Sequence, residues 1–170
     1  MSVVKARPQA APSAGSALLF LREEQIRQAQ DLMFFAYRDL TRAADVILEE
    51  LGLGRAHHRA LYFIARQPDL TVSALLALLG ITKQSLGRVI TDLTTRDMIE
   101  SRVGRDDRRQ RLLRLTAAGA ALESEMFELL RARLSTAYVD AGPAAVAGFW
   151  LVLEGLVPAA ERPMLAKLRG

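Results

Sequence analysis

The sequence of 170 residues contains no cysteine. Disulfides, thiolate metal sites and thiol redox switches are therefore excluded, and a chain of this length can bury a core without such staples. Freedom from cysteine suits a reducing compartment, and a cytoplasmic location is expected. Histidine is almost as scarce, with His57 and His58 the only two. Adjacent residues on a helix point about 100° apart, so neighbouring imidazoles are badly placed to share one metal or one proton relay. Phosphate-cradling glycine loops, nucleophile elbows and metalloprotease motifs do not occur. No catalytic group, metal site or cofactor is expected, and the chain does not read as an enzyme.

Aromatic residues make up only 6% of a chain that is 51% hydrophobic. Abundant Ala, Leu and Arg point to a helix-rich protein rather than a β-sandwich. Long apolar runs are missing as well: the longest, Ala144 to Leu153, is about half of what a bilayer requires, so no membrane partner is expected. The opening MSVVKARPQAAPSAGS is basic but leads only into a short apolar patch, Ala17 to Leu21, which matches a secretory signal poorly. A flexible tail over 1–16 is expected.

What the chain does have is a concentrated positive charge. Between Ile81 and Thr116 nine basic residues stand against five acidic ones, and the rest of the chain carries fourteen of each. The whole excess of +4 thus falls in one 36-residue segment, the footprint of a nucleic-acid-binding surface. Its densest part is GRDDRRQRLLRLT, residues 104–116, with five arginines and two aspartates. Such a segment is either a solvated hairpin or a carrier of guanidinium groups to a polyanion.

The surrounding elements bear on that choice. Ile26, Ala29, Met33, Ala36, Leu40, Ala43 and Ile47 alternate by three and four, a narrow stripe along a long helix of the kind that packs on another long helix. Gly52 and Gly54 end it. Arg55 to Gln67 gives a shorter helix with Leu61 and Ile64 inward, stopped by Pro68. Thr71 or Asp69 caps a compact helix containing Val72, Leu75, Leu76 and Leu79; Gly80 turns the chain; Thr82 caps a further helix to about Arg96. Two short helices joined by a glycine turn make a helix-turn-helix.

On the second of these helices Leu86, Val89, Ile90 and Leu93 share one face, and Lys83, Gln84, Arg88 and Thr91 the other, with the small Ser85 and Gly87 beside them. The polar face is either an ordinary solvated surface or a set of groups for base edges and phosphates. Ile99 to Arg102 and Arg111 to Leu115 are β-capable and flank the charged tip, and Thr116 caps the next helix. Helix-turn-helix followed by a charged hairpin is a winged helix, whose hairpin can reach the minor groove beside the helix in the major groove.

The stretch LTVSALLALLGITKQSLGRVITDLTTRDMIESRVGRDDRRQRLLRLTAAG resembles the MarR family of bacterial transcription regulators. The likeness rests on the helix pair LTVSALLALLGITKQSLGRVI and on the wing pattern D-x-R, five residues, L-T-x-x-G, met by Asp107, Arg109, Leu115, Thr116 and Gly119. It implies a homodimer on a pseudo-palindromic double-stranded DNA operator, commonly released by a small-molecule effector, and a repressor is expected. It also places the recognition-helix start on Thr82 to Arg88, covering Lys83, Gln84 and Ser85, and the wing pair on Asp107 and Arg109. Thr91, Arg105 and Arg108 complete the expected DNA-binding set. Asp107 is placed to orient an arginine by a bidentate pair, or else merely balances charge in a solvated loop. Two positions depart from the family pattern: Asp97 stands where Gly is usual before the wing, and Ser101 where a basic residue is common.

The fold expected is mainly α with a small β wing, a winged helix-turn-helix plus N- and C-terminal dimerisation helices. Its parts are 17–54, an N-terminal dimerisation helix; 55–119, the DNA-binding domain; and 120–170, the C-terminal dimerisation helices. In the last part a helix to about Asp140 carries Leu122, Met126, Leu129, Leu130 and Leu134 inward. After the break at Gly142 and Pro143, a very apolar helix from Ala144 to Val157 needs cover, either from its own subunit or from a partner as the resemblance implies. The family's ligand cleft would fall on Phe34, Tyr37, Arg38, His57, His58 and Tyr62, each of which also has an ordinary reading as core or helix surface. A winged helix used for protein contacts is the competing function, although such a surface more often exposes apolar anchors than concentrated charge.

Overall fold

The computed structural model of the protein describes residues 22–104 and 107–168. It divides into two compact units, one up to Asp39 and one from Leu40 onward. The expected tail over 1–16 lies outside the described residues.

Helix α1, Glu23–Glu50, runs through both units. In the first unit Arg27 donates to Glu23 one turn earlier at 2.6 Å, and Ile26, Met33, Phe34 and Phe35 are all exposed. The expected stripe is therefore exposed here among the described residues. In the second unit the helix buries Thr41, Ala44 and Leu48, while Ala43 and Ile47 are half-buried. The fully buried residues lie one position beyond the predicted stripe, with Ile47 of the stripe packed beside them, so the apolar surface of α1 is wider here than the stripe.

Helix α2, Arg55–Arg66, follows, with Ala60, Leu61 and Ile64 buried. Gly54 is its N-cap rather than a second stop for α1. Helix α3, Val72–Leu79, is capped by Thr71, whose Oγ1 accepts from the Ala74 N–H at 3.1 Å, and it closes on Gly80 at φ 63, a left-handed turn that a glycine adopts without strain. Helix α4, Lys83–Thr95, is capped by Thr82 and turns Leu86, Val89 and Leu93 into the core. These short helices hold their places through the leucine-rich cluster that Leu48, Leu61, Ile64, Leu75, Leu93 and Leu113 form together.

The sheet has three strands, not the two expected. Strands β2, Ile99–Val103, and β3, Arg111–Leu115, pair antiparallel from Ile99 opposite Leu115 to Val103 opposite Arg111. The two-residue β1, Leu70–Thr71, adds to the other edge of β3, with Leu70 opposite Leu113. The sequence around it, Pro68-Asp69, signals a turn and hides the strand. Asp69 makes that turn at φ 66, donates its N–H to Leu113 O at 3.1 Å and grips the Arg114 guanidinium, whose Nε lies 2.5 Å from Oδ1. A helix-turn-helix whose first strand is stitched to the hairpin is a winged helix, as expected.

Helix α5, Ala117–Ala141, buries Gly119, Leu122 and Met126, and half-buries Leu130 and Leu134, whereas Leu129 is exposed. Gly142 ends it, Pro143 opens α6, Pro143–Leu156, and the two axes differ by 119°. A short α7, Arg162–Leu168, was not legible in the sequence; Gln67 at the end of α2 donates to Lys167 O at 3.2 Å, and Arg66 donates to Leu168 O. Among the described residues no single helix is long and apolar enough to cross a membrane.

Candidate nucleic-acid interface

The site is built on two rigid supports. The first is α4, held to the core by Leu86, Val89 and Leu93 so that Lys83, Gln84, Ser85, Arg88 and Thr91 are exposed together. Lys83 and Arg88 have no carboxylate partner among the described residues, so their charge is available to a ligand. Thr82 is committed to the cap: its Oγ1 accepts from the Ser85 N–H at 3.1 Å and donates to Ser85 Oγ at 2.9 Å. Two of the small polar groups thus organise the helix start.

The second support is the wing. Asp107 Oδ1 accepts from the Arg109 N–H at 2.9 Å and from Arg109 Nε at 3.3 Å, while Gln110 Nε2 reaches Oδ2 at 3.4 Å. Asp107 orients Arg109 without a bidentate fork: one oxygen serves both a backbone and a side-chain donor. The aspartate consequently builds the turn first and steers the guanidinium second. The Arg109 backbone N–H foremost, helped by the two side-chain donors, holds its carboxyl below the usual range against the opposing effect of burial. Gln110 N–H closes the same turn on Asp107 O at 3.0 Å. Arg109 leaves 93% of its side chain in solvent, and Arg108 is exposed beside it. Arg105 lies outside the described residues.

Between α4 and the wing runs a groove of about 880 Å³, lined among others by Gly87, Thr91, Thr95, Ser101, Arg109 and Arg111. Ser101 Oγ is buried with no hydrogen-bond partner among the described residues, and Arg102 beside it is engaged with Glu100 at 2.5 Å. The wing base therefore offers little free positive charge; the cations are at the tip and on α4.

Thr116 and Gly119 explain the end of the wing pattern. Thr116 Oγ1 donates to Asp97 O at 2.5 Å and caps α5 by accepting from the Gly119 N–H at 3.1 Å, and Thr116 N–H donates to Met98 O at 3.1 Å. Asp97, where the resemblance leads one to expect glycine, takes the left-handed conformation at φ 55. An aspartate fills the turn, at some strain, and the wing is launched in the same way.

The residues expected to line a ligand cleft have varied surroundings. Phe34 and Tyr37 are exposed on α1, and Arg38 stacks 4.7 Å from the Phe35 ring centre while bonding Asp39 at 2.9 Å, which raises its pKa. Tyr62 is partly exposed and meets Phe63 edge-on at 5.3 Å. Burial lowers the pKa of His58, partly offset by Asp45, which Arg55 clasps at 2.7 Å. His57 has both ring nitrogens engaged: Nδ1 accepts from the Gly54 N–H at 3.0 Å, and Nε2 lies 3.1 Å from Asp92 Oδ2 on α4. Sequence reasoning missed this last contact, because no short-range pattern joins residues 35 apart.

A model of the MarR family matches residues 51–110. The HTH-type transcriptional regulator PetP of Rhodobacter capsulatus is 53% identical over 148 residues, which cover 87% of this chain and 89% of its own. Among solved structures, a MarR family transcription regulator superimposes with a TM-score of 0.67 at 21% identity, over 85% of this chain and 95% of the other. A mutant MarR from E. coli complexed with operator DNA gives 0.60 at 22% identity, over 79% and 96%.

Proposed function

The chain belongs to the MarR family of transcriptional regulators, and from that premise we propose that it binds a pseudo-palindromic operator as a homodimer and represses transcription from it. The observation that carries this reading is the pairing of an exposed polar helix face, Lys83, Gln84 and Arg88, with a wing tip whose Arg109 is almost wholly in solvent. In this reading α4 is the recognition helix: Gln84 meets a base edge in the major groove, and Lys83, Arg88 and Thr91 meet phosphates or the groove wall. Arg108 and Arg109 enter the adjacent minor groove, and Asp107 holds the turn; Arg105, outside the described residues, belongs to the same proposed DNA-binding set. Thr82 and Ser85 set the helix N-terminus, whose free N–H groups favour a phosphate.

The homodimer is supported by uncovered apolar surface. On α6, Phe149, Trp150, Leu151, Val152, Leu153 and Leu156 are each at least 40% exposed, and on α1 Ile26 and Met33 are about half exposed. A partner subunit would cover such faces. A small-molecule effector that releases the DNA belongs to the same reading.

Selection of duplexes from a random pool tests the function. An enriched inverted repeat, bound far more tightly than a scrambled duplex and more weakly as salt rises, is the expected result. Enrichment of no sequence, with equal affinity for all duplexes, would overturn it.

A further inference from the structure

Helix α4 carries a single acidic side chain, Asp92, placed four residues after Arg88 and so on the same face. A carboxylate there is a liability to a DNA-binding helix. It can fold back onto the Arg88 guanidinium, as oppositely charged side chains one turn apart do, or face the phosphates itself. Neither residue is paired with the other among the described residues. Instead, Asp92 Oδ2 sits 3.1 Å from Nε2 of His57, a residue of α2.

The ring's other contact fixes its chemistry. Nδ1 accepts the Gly54 N–H at 3.0 Å and must carry a lone pair, so in the neutral ring the proton is on Nε2, which donates to Asp92. The His57 side chain is only 14% exposed and sits in the first turn of α2, where the bond from the Gly54 N–H holds it. Asp92 is half exposed and would otherwise be free to turn. One imidazole thus joins the start of α2 to the solvent-facing side of α4.

Resting on the DNA-binding reading above, we propose that His57 is a positioning residue for DNA recognition: it holds the Asp92 carboxylate against α2 and leaves Arg88 free for DNA. This gives His57 a role distinct from the effector contact considered for it. His57 acts through Asp92 and touches no DNA itself.

The test is an epistasis measurement on the full-length protein, using the duplex selected above and a scrambled duplex at one salt concentration. His57→Ala should weaken binding to the selected duplex about twofold, since the released carboxylate competes for Arg88. Asp92→Ala alone should leave binding unchanged or slightly tighter, and His57→Ala with Asp92→Ala should bind like Asp92→Ala. A purely structural cap would make His57→Ala equally harmful in both backgrounds, and that result, or a His57→Ala protein binding like the parent, overturns the proposal. If His57→Ala folds poorly, His57→Glu, which still accepts from the Gly54 N–H and cannot donate to Asp92, is read by how much more it weakens binding with Asp92 present than with Asp92→Ala, since its added charge acts in both backgrounds; an equal loss in the two overturns the proposal. A parent protein that selects no duplex defeats the DNA-binding reading and this inference with it; a parent that selects one while the variants show no epistasis defeats only the inference.

Discussion

Gly119 lies directly against Met98: a Cβ at residue 119 would stand 1.9 Å from the Met98 carbonyl oxygen. The neighbour is backbone, so it cannot rotate away as a side chain could. Thr116 fastens the same place by donating to Asp97 O and Met98 O, and the first turn of α5 is thereby pressed onto the connection between α4 and the wing. Gly119→Ala should destabilise the protein by about 1 to 3 kcal/mol through forced separation of these segments. Denaturant unfolding at fixed protein concentration checks it; an unchanged midpoint would mean that α5 can shift at no energetic expense.

Asp97 has the opposite problem, a side chain where the backbone prefers none. Its φ of 55 is left-handed, and the residue is exposed, so nothing in the core depends on its carboxylate. Asp97→Gly should therefore stabilise by about 0.5 to 1 kcal/mol, the relief of the left-handed strain less the extra freedom of glycine in the unfolded chain. A lower unfolding midpoint would show that the aspartate makes a compensating contact.

Much of this was legible in the sequence because it is local. Caps at Thr71, Thr82 and Thr116, the turn at Gly80 and the inward leucines of α3 and α4 follow from spacing and side-chain chemistry within a few residues. The polar face of α4 followed from the same periodicity. The remainder depends on contacts distant in sequence. Strand β1 exists because Leu113 supplies its partner; the apolar surface of α1 is wider than the stripe because Leu48 joins the core; the His57–Asp92 contact needs α2 and α4 to meet. In the wing, the residue types predicted an Asp–Arg pair, but the short turn let the Arg109 backbone N–H reach the carboxylate first. That preference decides between a fork and a turn, and side-chain spacing alone does not contain it.

The two kinds of DNA contact proposed for α4 have different signatures. Gln84→Ala should relax preference at one or two base pairs, by about 1 to 3 kcal/mol against the preferred base. Lys83→Ala should weaken all sequences alike and reduce the salt slope by about one unit. Arg109→Ala should weaken operator binding while leaving thermal unfolding where it was, given how little of that side chain touches the protein. If the Gln84 variant selects the same operator as the parent, base reading must be sought elsewhere on the helix.

Stability should fall as pH drops below neutrality, and His58 is the reason. Burial lowers its pKa in the folded state, so below about 6.5 the unfolded chain takes up a proton that the folded chain resists. Its contribution is complete above that value and is lost as pH falls through it toward the folded pKa, with a slope of at most about 1.4 kcal/mol per pH unit. Asp45 behaves as a second, more acidic step: Arg55 holds its carboxyl below the usual range, so stability from that pair is present above about 3.8 and disappears as pH falls through the folded value. His58→Gln should remove the first step and leave the second. Unfolding midpoints from pH 7.5 to 3 measure both, and a His58→Gln curve parallel to the parent's would rule out the first.

The proposed dimer makes the sharpest demand on the protein as a whole. Leu151 is 70% and Val152 64% exposed on α6, a helix with no buried residue at all, and an isolated soluble chain has little reason to present so much apolar surface. If two chains cover these faces, folding and association are one equilibrium, and the unfolding midpoint must rise with protein concentration. Leu151→Asp, a change worth less than about 0.5 kcal/mol on a true solvent face, should then dissociate the protein or make it aggregate. Deleting the residues after Gly142 should do the same and leave only weak, salt-sensitive affinity for DNA of any sequence. A two-fold axis through the dimer sets two recognition helices about 10 base pairs apart, so the operator should be an inverted repeat with that spacing, and inserting five base pairs at its centre should abolish tight binding. Sedimentation at micromolar concentration decides the matter: a particle of 18.7 kDa that nevertheless binds the inverted repeat tightly would refute the dimer.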